Sequence, residues 1–126
     1  APGHAIDKVL KQARLSKDDI DLWEINEAFA AVTMAAMDDF KLDDTKVNIN
    51  GGAVALGHPI GASGAVLAVQ LFHQLKKSGG LGLAAIAAAG GLGSAVVFSS
   101  SLHSKRPFLA RHVYRLECRL LVQMCQ

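Results

Sequence analysis

"NINGGAVALGHPIGASGA", Asn48 to Ala65, is the stretch on which the reading of this chain turns. It holds five glycines, one histidine and one proline, carries no charged residue, and runs directly into a helical pattern. Glycines permit positive φ and close approach of backbone to a ligand, so the loop can aim main-chain N–H groups and His58 at one small volume. A structural reading stands beside that one, because a glycine loop feeding a helix also serves tight packing and a lone histidine is often structural. Nucleotide fingerprints are absent. There is no Lys-Ser/Thr ending of a phosphate-binding loop, and no Gly-x-Gly-x-x-Gly opening directly after a strand.

Working outward, Ala5, Ile6, Val9, Leu10 and Ala13 recur at helical spacing between His4 and Arg14, which predicts an amphipathic helix. "LSKDDIDLWEI" reads as a turn and a short strand through Leu22, Trp23 and Ile25. Asn26 then suits the cap of a buried helix over "NEAFAAVTMAAMDDF". "KLDDTKVNI" predicts a turn and a further short strand. A helix packed on two sides is expected from Ala62 or Ser63 to Ser78, ended by Lys76, Lys77 and "SGG". "LGLAAIAAA" and "SAVVFSSS", separated by "GGLG", fit two buried strands in a hairpin. This order belongs to a layered α/β domain.

The chain has 126 residues, 51% of them hydrophobic and 19% charged, which suits one globular domain and excludes a disordered chain. Its formal net charge of +2 is unevenly placed. Residues 1–101 carry eight Lys or Arg against ten Asp or Glu, whereas 102–126 carry five against one. The main body therefore offers no basic cluster for nucleic acid. Cys118 and Cys125 both fall in the tail, so the body has no disulfide framework and no metal-type spacing. No apolar run reaches the roughly 18 residues of a membrane span, and no secretory signal pattern is present. A reducing compartment, cytoplasmic or mitochondrial, is expected, with no secretion. Because the chain starts at Ala1 close to a helical pattern, an upstream portion is expected to be missing.

"NEAFA" at Asn26 to Ala30, "NGGAVALGHPIGASGA" at Asn50 to Ala65 and "GLAAIAAAGGLGSA" at Gly82 to Ala95 together resemble the C-terminal domain of the thiolases, most closely the acetyl-CoA acetyltransferase branch. The likeness covers residues 1–101. It implies a layered thiolase half, a mixed sheet with helices on both faces. It also implies a reversible Claisen condensation of acetyl-CoA to acetoacetyl-CoA, with a coenzyme A thioester as substrate and no cofactor or metal. By this resemblance His58 activates the nucleophilic thiol and helps hold the thioester oxygen, tasks open to a neutral imidazole. Gly57 and Pro59 fix the ring's direction. Asn26 orients a water at the oxyanion site, and Glu27 supports the loops. Phe29 lines the acyl pocket or fills the core.

Two departures accompany the likeness. The family's acid/base cysteine, in a Cys-x-Gly pattern, aligns with Ala87, and its glycine aligns with Ala89. A methyl group transfers no proton, although the N–H of Ala89 could still donate to an oxyanion. The nucleophilic cysteine belongs to the N-terminal thiolase half, which this stretch does not include, so the chain alone is expected to be inactive. A non-catalytic relative that binds acyl-CoA or assembles with other subunits is the alternative. Homo-oligomerisation is expected, since a lone half exposes apolar surface. The second departure is the tail, 102–126. Leu109, Val113, Leu116, Leu120 and Met124 fall on one helical face and Arg111, Arg115 and Arg119 on another. That pattern reads as a basic helix that docks on a partner or an anionic membrane, or as an extension with no role, and membrane attachment is not expected.

Overall fold

Alternation along Gly80–Ala88 sends Leu81, Leu83 and Ala85 to one side of the backbone and Gly82, Ala84 and Ile86 to the other. A strand apolar on both faces needs cover on both, and the fold supplies it. The computed structural model describes residues 2–100 and the backbone of 121–125. Its elements in chain order are α1 (Pro2–Ala13), β1 (Leu22–Ile25), α2 (Ala30–Phe40), α3 (Ala53–Leu56), α4 (Ser63–Ser78), β2 (Gly80–Ala88), β3 (Leu92–Ser100) and β4 (Leu121–Cys125). The sheet runs β1-β2-β3-β4. β1 and β2 are parallel with Leu22 opposite Gly82 and Ile25 opposite Ala85, and the remaining pairs are antiparallel.

On one face Ala5, Ile6, Val9 and Leu10 of α1 pack against Trp23, Ile25, Leu83, Ala85, Ala95 and Val97. On the other, Leu67, Leu71 and Leu75 of α4, spaced four apart, cover Ala84 and Phe98. The result is a mixed sheet between helices, as the sequence predicts.

Five expectations are corrected. Asn26 does not cap α2: the helix starts four residues later, after Phe29, whose extended backbone (φ −143°, ψ 149°) holds the cap position without a side-chain bond. Nor is α2 a buried helix. Only Thr33 and Ala36 are buried, and Met34 is 63% exposed, because the helix is apolar on nearly every side and has a neighbour along one edge only. The segment after Lys41 makes no strand. Asp43 accepts from the Thr45 N–H at 2.9 Å and closes a 3₁₀ turn over Asp44–Lys46, leaving a single bridge between Val47 and Trp23. α4 is packed on one side rather than two, with Val69 56% and Phe72 46% exposed. Within the expected tail helix, Leu121–Cys125 instead extend the sheet as β4, where bonding to the open edge of β3 satisfies their backbone. The rest of that predicted helix, Leu109 to Leu120, lies outside the described residues.

Candidate active site

The loop before α4 is held against the end of β1 by side chains. Asn48 adopts a left-handed backbone (φ 47°), a conformation asparagine tolerates. Its amide then imitates a strand partner: Oδ1 accepts from the Ile25 N–H at 2.9 Å, and Nδ2 donates to the Ile25 carbonyl at 2.9 Å. Nδ2 also donates to Glu27 Oε1 at 2.8 Å, while Glu27 Oε2 accepts the Val54 N–H at 2.9 Å. Glu27 thus ties β1 to both ends of the turn that leads into α3. Gly52 makes this possible, since a Cβ there would overlap the Glu27 carboxylate.

After α3 the chain reverses through Gly57 (φ 93°), whose N–H donates to the Ala53 carbonyl at 2.8 Å. This turn presents His58. The carbonyl of Pro59 then accepts from the Ala62 and Ser63 N–H groups, both at 2.8 Å, and opens α4.

Asn26 and His58 are brought together. Asn26 is 3% exposed, and its own N–H donates to the Ala85 carbonyl at 2.9 Å, so the residue is pinned between β1 and β2. Its Nδ2 lies 3.3 Å from His58 Nε2. The other ring nitrogen, Nδ1, contacts Ser63 Oγ at 2.5 Å, and that hydroxyl donates to the Pro59 carbonyl at 2.9 Å. The imidazole is therefore gripped at both nitrogens while its outer surface is exposed.

The remaining expected residues are distributed as follows. Ala87 sits half-buried in β2, opposite Gly93, two residues beyond the Ala85 that anchors Asn26. Ala89 is exposed in the tight Ala89–Gly91 turn between β2 and β3. Phe29 is 76% exposed, which removes the reading that placed it in the core. The cavity touching Asn26 measures about 20 Å³ and is lined also by Glu24, Ser63 and Gln70. It has room for roughly one water and none for an acyl thioester, so a substrate would have to lie on the open side of His58. A groove of about 530 Å³ between α1 and α2 is separate from the pair. Among the described residues no cluster of His, Cys, Asp or Glu could hold a metal ion.

Three residues of the site escaped the sequence reading: Ser63, Asn48 and Glu24. Glu24 is fully buried on the α4 face of β1, where Gln74 Nε2 donates to its Oε1 at 2.7 Å and its Oε2 has no partner. Burial raises its carboxyl from the ordinary 4.5 to about 7, with the bond from Gln74 opposing and the charge of Glu27 adding to the rise. The signals for these residues were present but slight. Ser63 is one polar hydroxyl in a run of glycine and alanine, and Glu24 is a carboxylate at a position where strand alternation points inward.

A mixed sheet covered by helices, with an asparagine at a strand end facing a histidine on a glycine loop, places the chain in the α/β class, and the family described as "Thiolase, C-terminal domain" matches residues 1–100. The chain belongs to the thiolase family. Its relatives include mitochondrial acetyl-CoA acetyltransferase of Bos taurus, 55% identical over 97 residues that make up 77% of this chain and 23% of the relative. Among solved structures, a thiolase from Ascaris suum in complex with coenzyme A superposes with a TM-score of 0.76 at 49% identity, over 79% of this chain and 26% of the other. Peroxisomal 3-ketoacyl-CoA thiolase of Saccharomyces cerevisiae, described as five layers built from two core domains of identical topology, gives 0.76 at 40% identity, over 80% and 29%. The chain thus spans about a quarter of the length of the relatives it matches.

Proposed function

We propose that this chain forms the C-terminal part of an acyl-transfer site of the acetyl-CoA acetyltransferase type. One observation carries the reading. Two polar side chains 32 residues apart meet at 3.3 Å on the end of β1, and one of them is an imidazole with an open face. In the reaction so proposed, His58 takes the proton of a cysteine thiol supplied by an N-terminal thiolase half. The thiolate attacks the thioester carbonyl of acetyl-CoA, the carbon–sulfur bond to coenzyme A breaks, and the departing thiolate takes a proton from water, so that His58 keeps the cysteine's proton until the cysteine is freed. A second acetyl-CoA must then lose a Cα proton. Its enolate oxygen would be held by protonated His58 and an Asn26-oriented water, with the N–H of Ala89 as a further donor for developing negative charge. The new carbon–carbon bond frees the cysteine. Glu27, Gly57 and Pro59 hold the loop in place, and exposed Phe29 would meet the acyl chain only at its rim.

Deprotonation is where this chain falls short, because Ala87 occupies the position that the resemblance gives to the acid/base cysteine. The substitution favours a second reading, a non-catalytic thiolase relative that binds acyl-CoA or assembles with other subunits. The partner expected in either case is an N-terminal thiolase half. Its seat would be the outward face of α4, where Val66, Val69 and Phe72 are exposed; in isolation the same face would drive homo-oligomerisation. The mitochondrial name of the bovine relative supports a mitochondrial setting.

The test joins the chain to the N-terminal half of an acetyl-CoA acetyltransferase and assays acetoacetyl-CoA cleavage with Ala87 and with Ala87→Cys. The cysteine form is expected to be faster by about 10² to 10⁴, the usual worth of a positioned acid/base group. Equal rates at the uncatalysed background would overturn the enzyme reading, and acyl-CoA binding without turnover would support the second.

A further inference from the structure

Hydrogen-bond accounting around His58 fixes more than its position. A serine hydroxyl has one proton to give. The Pro59 carbonyl, 2.9 Å away, can only accept, and a Ser63 proton placed on it leaves the hydroxyl oxygen to accept from His58. In that arrangement the contact from His58 Nδ1 is an Nδ1–H donating to Ser63 Oγ. The opposite nitrogen agrees independently. Asn26 Nδ2 has only protons to offer, and it approaches Nε2, which must therefore carry the lone pair.

We propose that Ser63 is a positioning residue for His58, holding the neutral ring in the Nδ1–H tautomer so that its basic Nε2 faces Asn26 and the open side of the loop. Ser63 suits that task. It is 4% exposed and is the first residue of α4, so its hydroxyl is set by the helix rather than by solvent. The Pro59 carbonyl that receives its proton is also bonded by the Ala62 and Ser63 N–H groups, which ties the hydroxyl's direction to the backbone turn that presents His58. Both ring nitrogens of His58 have neutral partners, Asn26 and Ser63. Both oxygens of Glu27 are occupied by Asn48 and Val54, and the free Oε2 of Glu24 has no hydrogen-bond partner, so neither carboxylate is bonded to the ring.

The meaning for catalysis rests on the acyl-transfer reading: a thiol can deliver its proton only to a nitrogen that carries none, and at Nε2 it would take the place of the Asn26 N–H. The tautomer itself can be measured without any reaction. The experiment is long-range ¹H–¹⁵N correlation spectroscopy of the intact chain labelled in its five histidines, about two pH units above the ordinary histidine value of ~6.5. His58 is assigned from the signal lost in His58→Gln. The unmodified chain is expected to carry the His58 proton on Nδ1. Ser63→Ala should move the tautomer ratio toward Nε2–H by about threefold to tenfold, the size of one net hydrogen bond, and Ser63→Thr, which keeps the hydroxyl, should restore it. A proton found on Nε2 in the unmodified chain overturns the proposal even if the Ser63 variants fail to fold. So does a ratio that Ser63→Ala leaves unchanged. Failure of the Ala87→Cys assay would strike the acyl-transfer reading and leave the tautomer result standing.

Discussion

Replacing Glu24 by glutamine isolates the one buried acid of the sheet. The carboxyl is fully buried between β1 and α4, receives one bond, from Gln74, and leaves Oε2 unpartnered. Its value in the fold is about 7 against an ordinary 4.5. Between those values the folded chain binds more protons than the unfolded one. Stability is therefore complete below about pH 4.5, falls as pH rises through the window, and levels off above about 7 as far as this group is concerned. At about 1.36 kcal/mol per pH unit the full loss is on the order of 3 kcal/mol, a large part of the ~5–15 kcal/mol of a typical domain. Glu24→Gln keeps an acceptor oxygen for Gln74 and cannot ionise. Urea denaturation followed through the chain's one tryptophan, Trp23, which is 2% exposed, reads the difference directly. The variant should match the parent at about pH 5 and exceed it by about 2–3 kcal/mol at about pH 8. Parallel stability curves for the two proteins across that range would refute the reasoning.

Gly52→Ala should destabilise the chain by about 1–3 kcal/mol, since the new methyl overlaps the Glu27 carboxylate. Hydrogen exchange at the Val54 amide, which donates to Glu27, should quicken, and unchanged protection would contradict the clamp. The outward face of α4 yields a different test. Val69→Glu combined with Phe72→Glu should weaken self-association of the chain by about tenfold or more, read by analytical ultracentrifugation. An unaltered association constant would place the sticky surface elsewhere.

The architecture was largely legible in the sequence because its core obeys two simple periods. Leu67, Leu71 and Leu75 repeat every four residues and mark the buried stripe of α4, and the alternation of Leu83, Ala84 and Ala85 marks a strand covered on both faces. What failed was judged by apolar composition alone. α2 is rich in alanine and methionine, so it reads as buried, yet burial needs a neighbour and this chain provides one on a single edge. Asn26 has the chemistry of a cap, but bonding of its N–H to Ala85 extends the strand register and delays the helix to Ala30. At the site, the His58 motif marked the loop whose imidazole lies against Asn26. Asn48 gave little signal because its role is a long-range hydrogen bond, and a local pattern carries no trace of a partner 23 residues away; the partners of Ser63 are only four and five residues away, but a serine at a helix start reads first as part of the helix.

The side-chain ties that locate the loop converge on three consecutive residues: Ile25 receives Asn48, Asn26 meets His58 while its own N–H is held by Ala85, and Glu27 takes Asn48 and Val54. Ala87 takes part in none of these ties. A change of side chain at position 87 therefore leaves the frame that seats His58 untouched. Shape and side-chain chemistry at that strand position are uncoupled, so an outline of the fold says nothing of what residue 87 does.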